Sequence, residues 1–178
     1  MENSNYQLIK EIVINNPPTK YTINYKKPKY DREGKLVTHQ DYYLTSNLFF
    51  NNNTSFHVIS KIITEVKRFL HTHMRGLPEI EQMRLEIIYR RTKAIDIDNV
   101  GYFWRKLFMD ILKTPSSKQV LNANRKGKDI ITTRTIPDDN TKHVREYSEK
   151  FEHGEHVLIF RIYGRVKDTQ QELNLNFI

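Results

Sequence analysis

The chain has 178 residues and no cysteine, which excludes disulfide staples, zinc ribbons and thiol nucleophiles. Hydrophobic residues make up 38%, enough to bury a core in one domain, and the 28% of charged residues argues against general disorder. Lys+Arg 29 against Asp+Glu 21 gives a formal net charge of +8, which favours a polyanionic partner because each cation on a phosphate releases condensed counterions.

In chain order, residues 8–14 (LIKEIVI) are short, apolar and β-branched, and Pro17-Pro18 ends them, which predicts a strand. Residues 20–43 are basic and tyrosine-rich, with a turn at Arg32-Glu33-Gly34-Lys35. There Tyr21, Tyr25, Lys26, Lys27, Lys29, Tyr30 and Arg32 interleave aromatics with cations, a mixture found on nucleic-acid surfaces and also in solvated loops. Asn51, Asn52 and Asn53 predict a polar loop leading to Thr54 or Ser55 as a helix cap. Ile59, Ile62, Ile63, Val66, Phe69 and Leu70 recur at three- and four-residue spacing and predict a first main helix over residues 55–73, stopped by Gly76 and Pro78.

Met83, Leu85, Ile87 and Tyr89 then alternate with Arg84, Glu86 and Ile88 in a strand that runs into Arg90-Arg91. A second main helix is expected from near Asp98 to Lys113, ended by Pro115. Residues 113–135 read as a basic irregular insertion with one short strand. A hairpin is expected last: a strand over 143–151, a turn at His153-Gly154, and a strand over 157–166 containing the run VLIF. The expected architecture is one α/β domain over residues 1–178, a mixed β-sheet with two main α-helices packed on it. Residues 1–10 hold no apolar core of signal-peptide length and no run is long enough for a bilayer, so a cytoplasmic protein is expected.

The chemistry concentrates in Tyr89-Arg90-Arg91-Thr92-Lys93-Ala94-Ile95-Asp96-Ile97-Asp98-Asn99. An Asp-x-Asp at a strand end sets two carboxylates on one side of the chain, and their repulsion invites a cation. Oxygen ligands suit Mg²⁺ or Mn²⁺. The same residues also suit an acidic turn in which Asp98 or Asn99 caps the following helix. A second pair, Asp138-Asp139, follows Pro137 and precedes Asn140, an ordinary turn composition when taken alone. Trp104 reads as core, and His71 and His73, two apart on a helix, make a poor metal pair. The chain has no Gly-rich phosphate loop.

The order basic strand, Asp-x-Asp-Asn, amphipathic helix, Asp-Asp, hairpin resembles the RusA-type Holliday-junction resolvases. The pieces that carry the resemblance are Arg90-Arg91, Asp96-Ile97-Asp98-Asn99, Asp138-Asp139, residues 144–162 and Pro17-Pro18. It implies a RusA-like fold and a homodimer that resolves four-way DNA junctions by Mg²⁺- or Mn²⁺-dependent phosphodiester hydrolysis, with Asp96, Asp98 and Asp139 as metal-binding carboxylates. The family's lysine, four residues after the second Asp, is here Tyr102; Lys106 repeats the family's Lys-x-x-x-Asp-x-Leu run (KLFMDIL) and is the replacement candidate for stabilising charge on the phosphate. Lys26, Lys27, Arg90, Arg91, Lys126 and Lys128 are the expected contacts to the DNA backbone. Two alternatives stand beside the resolvase: a RusA-like DNA-binding protein whose nuclease site has decayed, and a basic adaptor with no nucleic-acid role.

Overall fold

Strands of two characters build the main sheet of the computed structural model, which describes residues 6–50, 53–93 and 96–166. Asn51 and Asn52 of the expected polar loop, Ala94 and Ile95 ahead of Asp96, and residues 1–5 and 167–178 lie outside the described residues. β4 (Ile80–Arg91) and β6 (Val157–Val166) hold the centre, with β1 (Gln7–Asn15) and β5 (Val144–His153) at the edges, in the order β1-β6-β4-β5. β6 is antiparallel to both its neighbours while β4 and β5 are parallel, so the sheet is mixed. The central strands carry unbroken buried apolar runs, Ile87-Ile88-Tyr89 in β4 and Val157-Leu158-Ile159-Phe160 in β6. Edge strand β5 (VREYSEKFEH) is half-buried or exposed throughout and charged along its free side.

That difference overturns the hairpin expected over residues 143–166. β4 lies between β5 and β6, so residues 154–156 cross the end of a third strand instead of joining neighbours. Gly154 makes the crossing close: its N–H donates to the Arg91 carbonyl at 3.2 Å, and a Cβ there would stand 2.8 Å from Arg90 Cδ. The run VLIF is buried against strands on both sides, a position that the polar alternation of β5 does not suit.

The helices are α1 (Asn47–Phe50), α2 (Phe56–His73), α3 (Ile97–Leu112) and α4 (Ser117–Arg125). The apolar stripe of α2 (Ile62, Val66, Leu70) and that of α3 (Phe103, Leu107, Phe108, Ile111) form one core with Leu85, Ile87, Phe160 and Ile162 of the sheet. Phe108 stacks flat on Phe160, with ring centroids 3.9 Å apart. An ion pair of 2.8 Å from Lys67 to Asp110 joins α2 to α3. The other face of the sheet keeps a small apolar cluster, Ile88, Val157 and Ile159, beside a row of alternating charge. In that row Arg161 donates to Glu11 at 2.6 Å and to Glu86 at 3.2 Å, and Lys150 also pairs with Glu86.

Residues 113–135 hold helix α4 where one short strand was expected. A reciprocal capping box between Ser116 and Gln119 starts it, a four-residue signal legible in Ser116-Ser117-Lys118-Gln119. The chain then returns along the C-terminus of α3, where Thr133 and Thr135 N–H groups donate to the Ile111 and Leu112 carbonyls at 2.8 and 2.7 Å. Those carbonyls have no partner within the helix, so this part of the insertion completes α3. The tyrosine-rich segment folds as a separate antiparallel ribbon, β2 (Lys20–Tyr30) with β3 (Leu36–Tyr43). Among the described residues no helix is long and apolar enough to cross a membrane.

Candidate functional site

β4 ends at Arg91, and α3 opens at Asp96, whose extended backbone and carboxylate make it the N-cap: its Oδ1 accepts from the Asn99 N–H at 3.1 Å. The cap is thus Asp96, two residues earlier than Asp98. Asp98 stands exposed in the first helical turn, where the helix dipole favours a negative charge. Asn99 faces inward to a different task. Ser46 Oγ donates to Asn99 Oδ1 at 2.6 Å and Ser46 N–H donates to the Asn99 carbonyl at 2.8 Å. These two bonds fasten the foot of the β2–β3 ribbon to the head of α3.

Asp98, Gly101, Tyr102 and Arg105 follow one another at i, i+3, i+4 and i+7, one stripe of α3 that faces β5. Arg105 donates to Glu149 Oε1 at 2.8 Å, and its guanidinium lies 4.5 Å from the Tyr147 ring centre and 5.7 Å from that of Tyr102. Burial raises the Glu149 carboxyl above the usual carboxylate range; Arg105 opposes that rise and the Asp98 charge adds to it. Gly101 makes room for this pair, since a Cβ there would meet Glu149 Oε2 at 2.5 Å and the Tyr89 hydroxyl at 3.3 Å. The Tyr89 hydroxyl is buried with no hydrogen-bond partner among the described residues. Burial first, and the Glu149 charge second, push its phenol upward, so it remains a protonated donor.

Beside this stripe opens a largely apolar cavity of about 270 Å³, walled by Pro17, Pro18, Tyr43, Trp104, Arg91 and His156 among others. Burial, and then the Arg91 charge, hold the His156 imidazole below its ordinary range. The head of α3 therefore holds two exposed carboxylates and an arginine facing a cavity, and two turns on, a second arginine lies between two tyrosine rings.

Asp96 and Asp98 both lie at this head, Asp96 turned to the Asn99 N–H and Asp98 exposed, but Asp139 does not join them. Asp139 accepts from Lys113 Nζ at 3.2 Å, and Lys113 caps the opposite end of α3. Fifteen residues at about 1.5 Å each put that end about 22 Å from Asp98, far outside a shared coordination sphere. Asp138 accepts from the Asp139 N–H and from Asn140 Nδ2, both at 2.9 Å, so Pro137-Asp138-Asp139-Asn140 is a self-bonded turn. Those bonds keep the Asp138 carboxyl below its ordinary range. Although burial lowers it, the Lys113 ammonium ends above its ordinary range because Asp139, Asp110 and Asp138 surround it. Among the described residues no three His, Asp or Glu side chains gather to hold a metal ion, and the set Asp96, Asp98 and Asp139 does not fit one within a single chain.

The expected cations divide as well. Lys106 is exposed one position round the helix from Arg105, off the Asp98 stripe, and Tyr102 packs near Phe49 and Phe50 at centroid distances of 6.1 and 6.3 Å. Arg91 turns toward α3, whereas Arg90 lies on the opposite sheet face and donates to Glu152 at 3.0 and 2.6 Å. Lys26 and Lys27 are exposed on the ribbon; Lys126 and Lys128 stand by Lys113 and Asp110 at the far end of α3. Sequence reasoning missed Arg105, whose i+7 spacing from Asp98 was its signal, and Glu149, which carries no local signal at all. Comparison with family models, curated proteins and solved structures returns no match.

Proposed function

We propose that this protein binds branched DNA and cleaves it, as a structure-selective endonuclease of the RusA-like Holliday-junction resolvase kind. The observation that supports this reading most is the head of α3, where Asp96 and Asp98 stand at the carboxyl end of β4, beside β5 running parallel, with Arg91 turned to the same side. Open α/β sheets bind ligands outside the carboxyl ends of their parallel strands. The net charge of +8 supplies the attraction to phosphate. Arg91 and the ribbon cations would hold the DNA backbone. Arg105, immobilised by Glu149 and two tyrosines, would keep the Asp98 stripe in register with β5. A homodimer would present two such heads to the two opposed strands of a four-way junction. The three carboxylates named by the resemblance do not fit one Mg²⁺ or Mn²⁺ ion in a single chain, because Asp139 lies at the opposite end of α3.

A second reading, DNA binding without cleavage, is favoured by two observations: Asp139 is committed to Lys113, and an aromatic side chain stands at Tyr102. Single-turnover assay of a labelled four-way junction with Mg²⁺ or Mn²⁺ separates the two. The endonuclease reading expects nicking by the wild type and none by Asp96→Asn, which preserves the cap and therefore the fold. A wild type that binds junctions yet never cuts them establishes the second reading. Absence of any DNA binding at about 50 mM salt, where phosphate contacts are strong, ends both.

A further inference from the structure

The β2–β3 ribbon stands apart from the main sheet, and its strands pair with each other alone among the described residues. Its proximal half turns Tyr21 and Ile23 toward the core, while Lys26, Lys27, Pro28, Lys29 and Tyr30 are exposed in succession. The root is rigid. Asp41 accepts from Lys20 at 2.5 Å and from Thr22 at 2.6 Å, Tyr25 donates to Gln40 at 2.7 Å, and Leu44 N–H donates to the Thr19 carbonyl at 2.9 Å. The tip is closed by its own turn: Asp31 Oδ1 accepts from the Glu33 and Lys35 N–H groups, and Gly34 takes the positive φ of 76° that the turn needs.

Between root and tip the register shifts: Asn24 pairs with His39 but Lys29 already pairs with Val37. The extra residues form a bulge containing Pro28, which has no N–H to donate, and the bulge carries Lys26 and Lys27 outward. From Lys26 to His39 five cations, Lys26, Lys27, Lys29, Arg32 and Lys35, face two carboxylates, and one of these, Asp31, is spent on the turn. At the very end the cross-strand pair Tyr30 and Leu36 is 74% and 50% exposed, an apolar wedge that water does not favour. A free two-stranded ribbon is marginal in water, so a stiffened one with a cationic flank and an apolar tip is built to meet a partner.

We propose that this ribbon is a groove-entering arm: Lys26, Lys27 and Lys29 seat on backbone phosphates of duplex DNA, and the Tyr30–Leu36 pair stacks against bases exposed at a branch point. The inference rests on the reading of the chain as a DNA-binding protein, not on cleavage. The dimensions suit B-form DNA. Along β3, which carries no extra residues, the ribbon runs from His39 to Leu36 for about 10 Å at about 3.3 Å per residue, against a major groove about 8.5 Å deep and about 12 Å wide that admits a two-stranded ribbon. The major groove of an RNA duplex is too narrow for it. The Ser46–Asn99 bonds tie the root of the arm to the head of α3.

The test is fluorescence anisotropy of the full chain with a four-way DNA junction, a linear DNA duplex and an RNA duplex over a series of salt concentrations. Lys26→Gln, Lys27→Gln and Lys29→Gln combined should lower the slope of log affinity against log salt by about two to three and weaken both DNA ligands. Tyr30→Ser with Leu36→Ser should leave that slope intact while costing about fivefold to a hundredfold in junction affinity, and should abolish the fluorescence change of a 2-aminopurine at the branch point. Both variants are surface changes and should keep the wild-type unfolding midpoint. A wild type that binds junctions with both variants unchanged overturns the arm and leaves the DNA-binding reading standing. Preference of the wild type for the RNA duplex also overturns it, and a wild type that binds no DNA removes the arm together with the reading beneath it.

Discussion

Replacing Gly101 by Ala sets two effects of similar size against each other, and the structure decides the sign. In a helix interior Ala is favoured over Gly by about 1 kcal/mol. Here the new Cβ would stand 2.5 Å from Glu149 Oε2, closer than real contacts allow, so the carboxylate must swing away from the 2.8 Å bond donated by Arg105. A hydrogen bond between charged groups contributes about 1.5–3 kcal/mol, and the two side chains are only 12% and 25% exposed, so water restores little of it. Gly101→Ala should therefore destabilise the fold by about 0.5–2 kcal/mol. On a Glu149→Ala background the obstruction is gone, and the same substitution should stabilise by about 1 kcal/mol. Urea denaturation followed by the fluorescence of Trp104, the chain's single tryptophan and a buried one, measures both steps. If Gly101→Ala stabilises the wild type as much as it stabilises Glu149→Ala, the claim that this glycine exists to admit Glu149 is refuted.

Other expectations follow from the same geometry. Asp96→Ala should cost about 1 kcal/mol through loss of the cap while Asp96→Asn stays within a few tenths, read as urea midpoints. Arg105→Ala should cost more at pH 7 than at pH 4: the folded Glu149 carboxyl is raised above its unfolded value, so its protonated form needs no partner in acid, and stability is lost as pH rises through the folded value. Lys106→Ala, an exposed neighbour, should leave the same midpoints unmoved. For His156 the sign is opposite, because its folded pKa is depressed and the unfolded chain takes up protons first. Stability should fall as pH drops below about 6.5, and His156→Gln should flatten that part of a midpoint-against-pH curve. Phe160→Ala, which deletes a fully buried ring stacked on Phe108, should cost about 3–5 kcal/mol in the same denaturation assay.

What periodicity could carry was legible. The spacing of Ile62, Val66 and Leu70 declares α2, and the alternation of Met83, Leu85, Ile87 and Tyr89 declares β4, because burial on one face repeats with the period of the backbone itself. The Asp-x-Asp-Asn segment was likewise placed at the junction of a strand and a helix, since capping is a matter of three or four adjacent residues. Strand order was not legible. Residues 144–166 read as a hairpin because neighbours in sequence are usually neighbours in space, yet β4 takes the place between β5 and β6, where the apolar run of β6 is covered on both sides. Nor could spacing reveal that Asp139 sits a helix length from Asp98, or that Glu149, 51 positions beyond Asp98, shares a stripe with it through Arg105. The sequence by itself determined the two main helices, the core strands and the strand-to-helix junction, all products of local backbone periodicity, while the cap fell on Asp96 and α4 stood where a short strand was expected. Only the tertiary structure decided which carboxylates and cations meet, because contact between distant residues depends on strand order and helix length, and neither is written in any short stretch of chain.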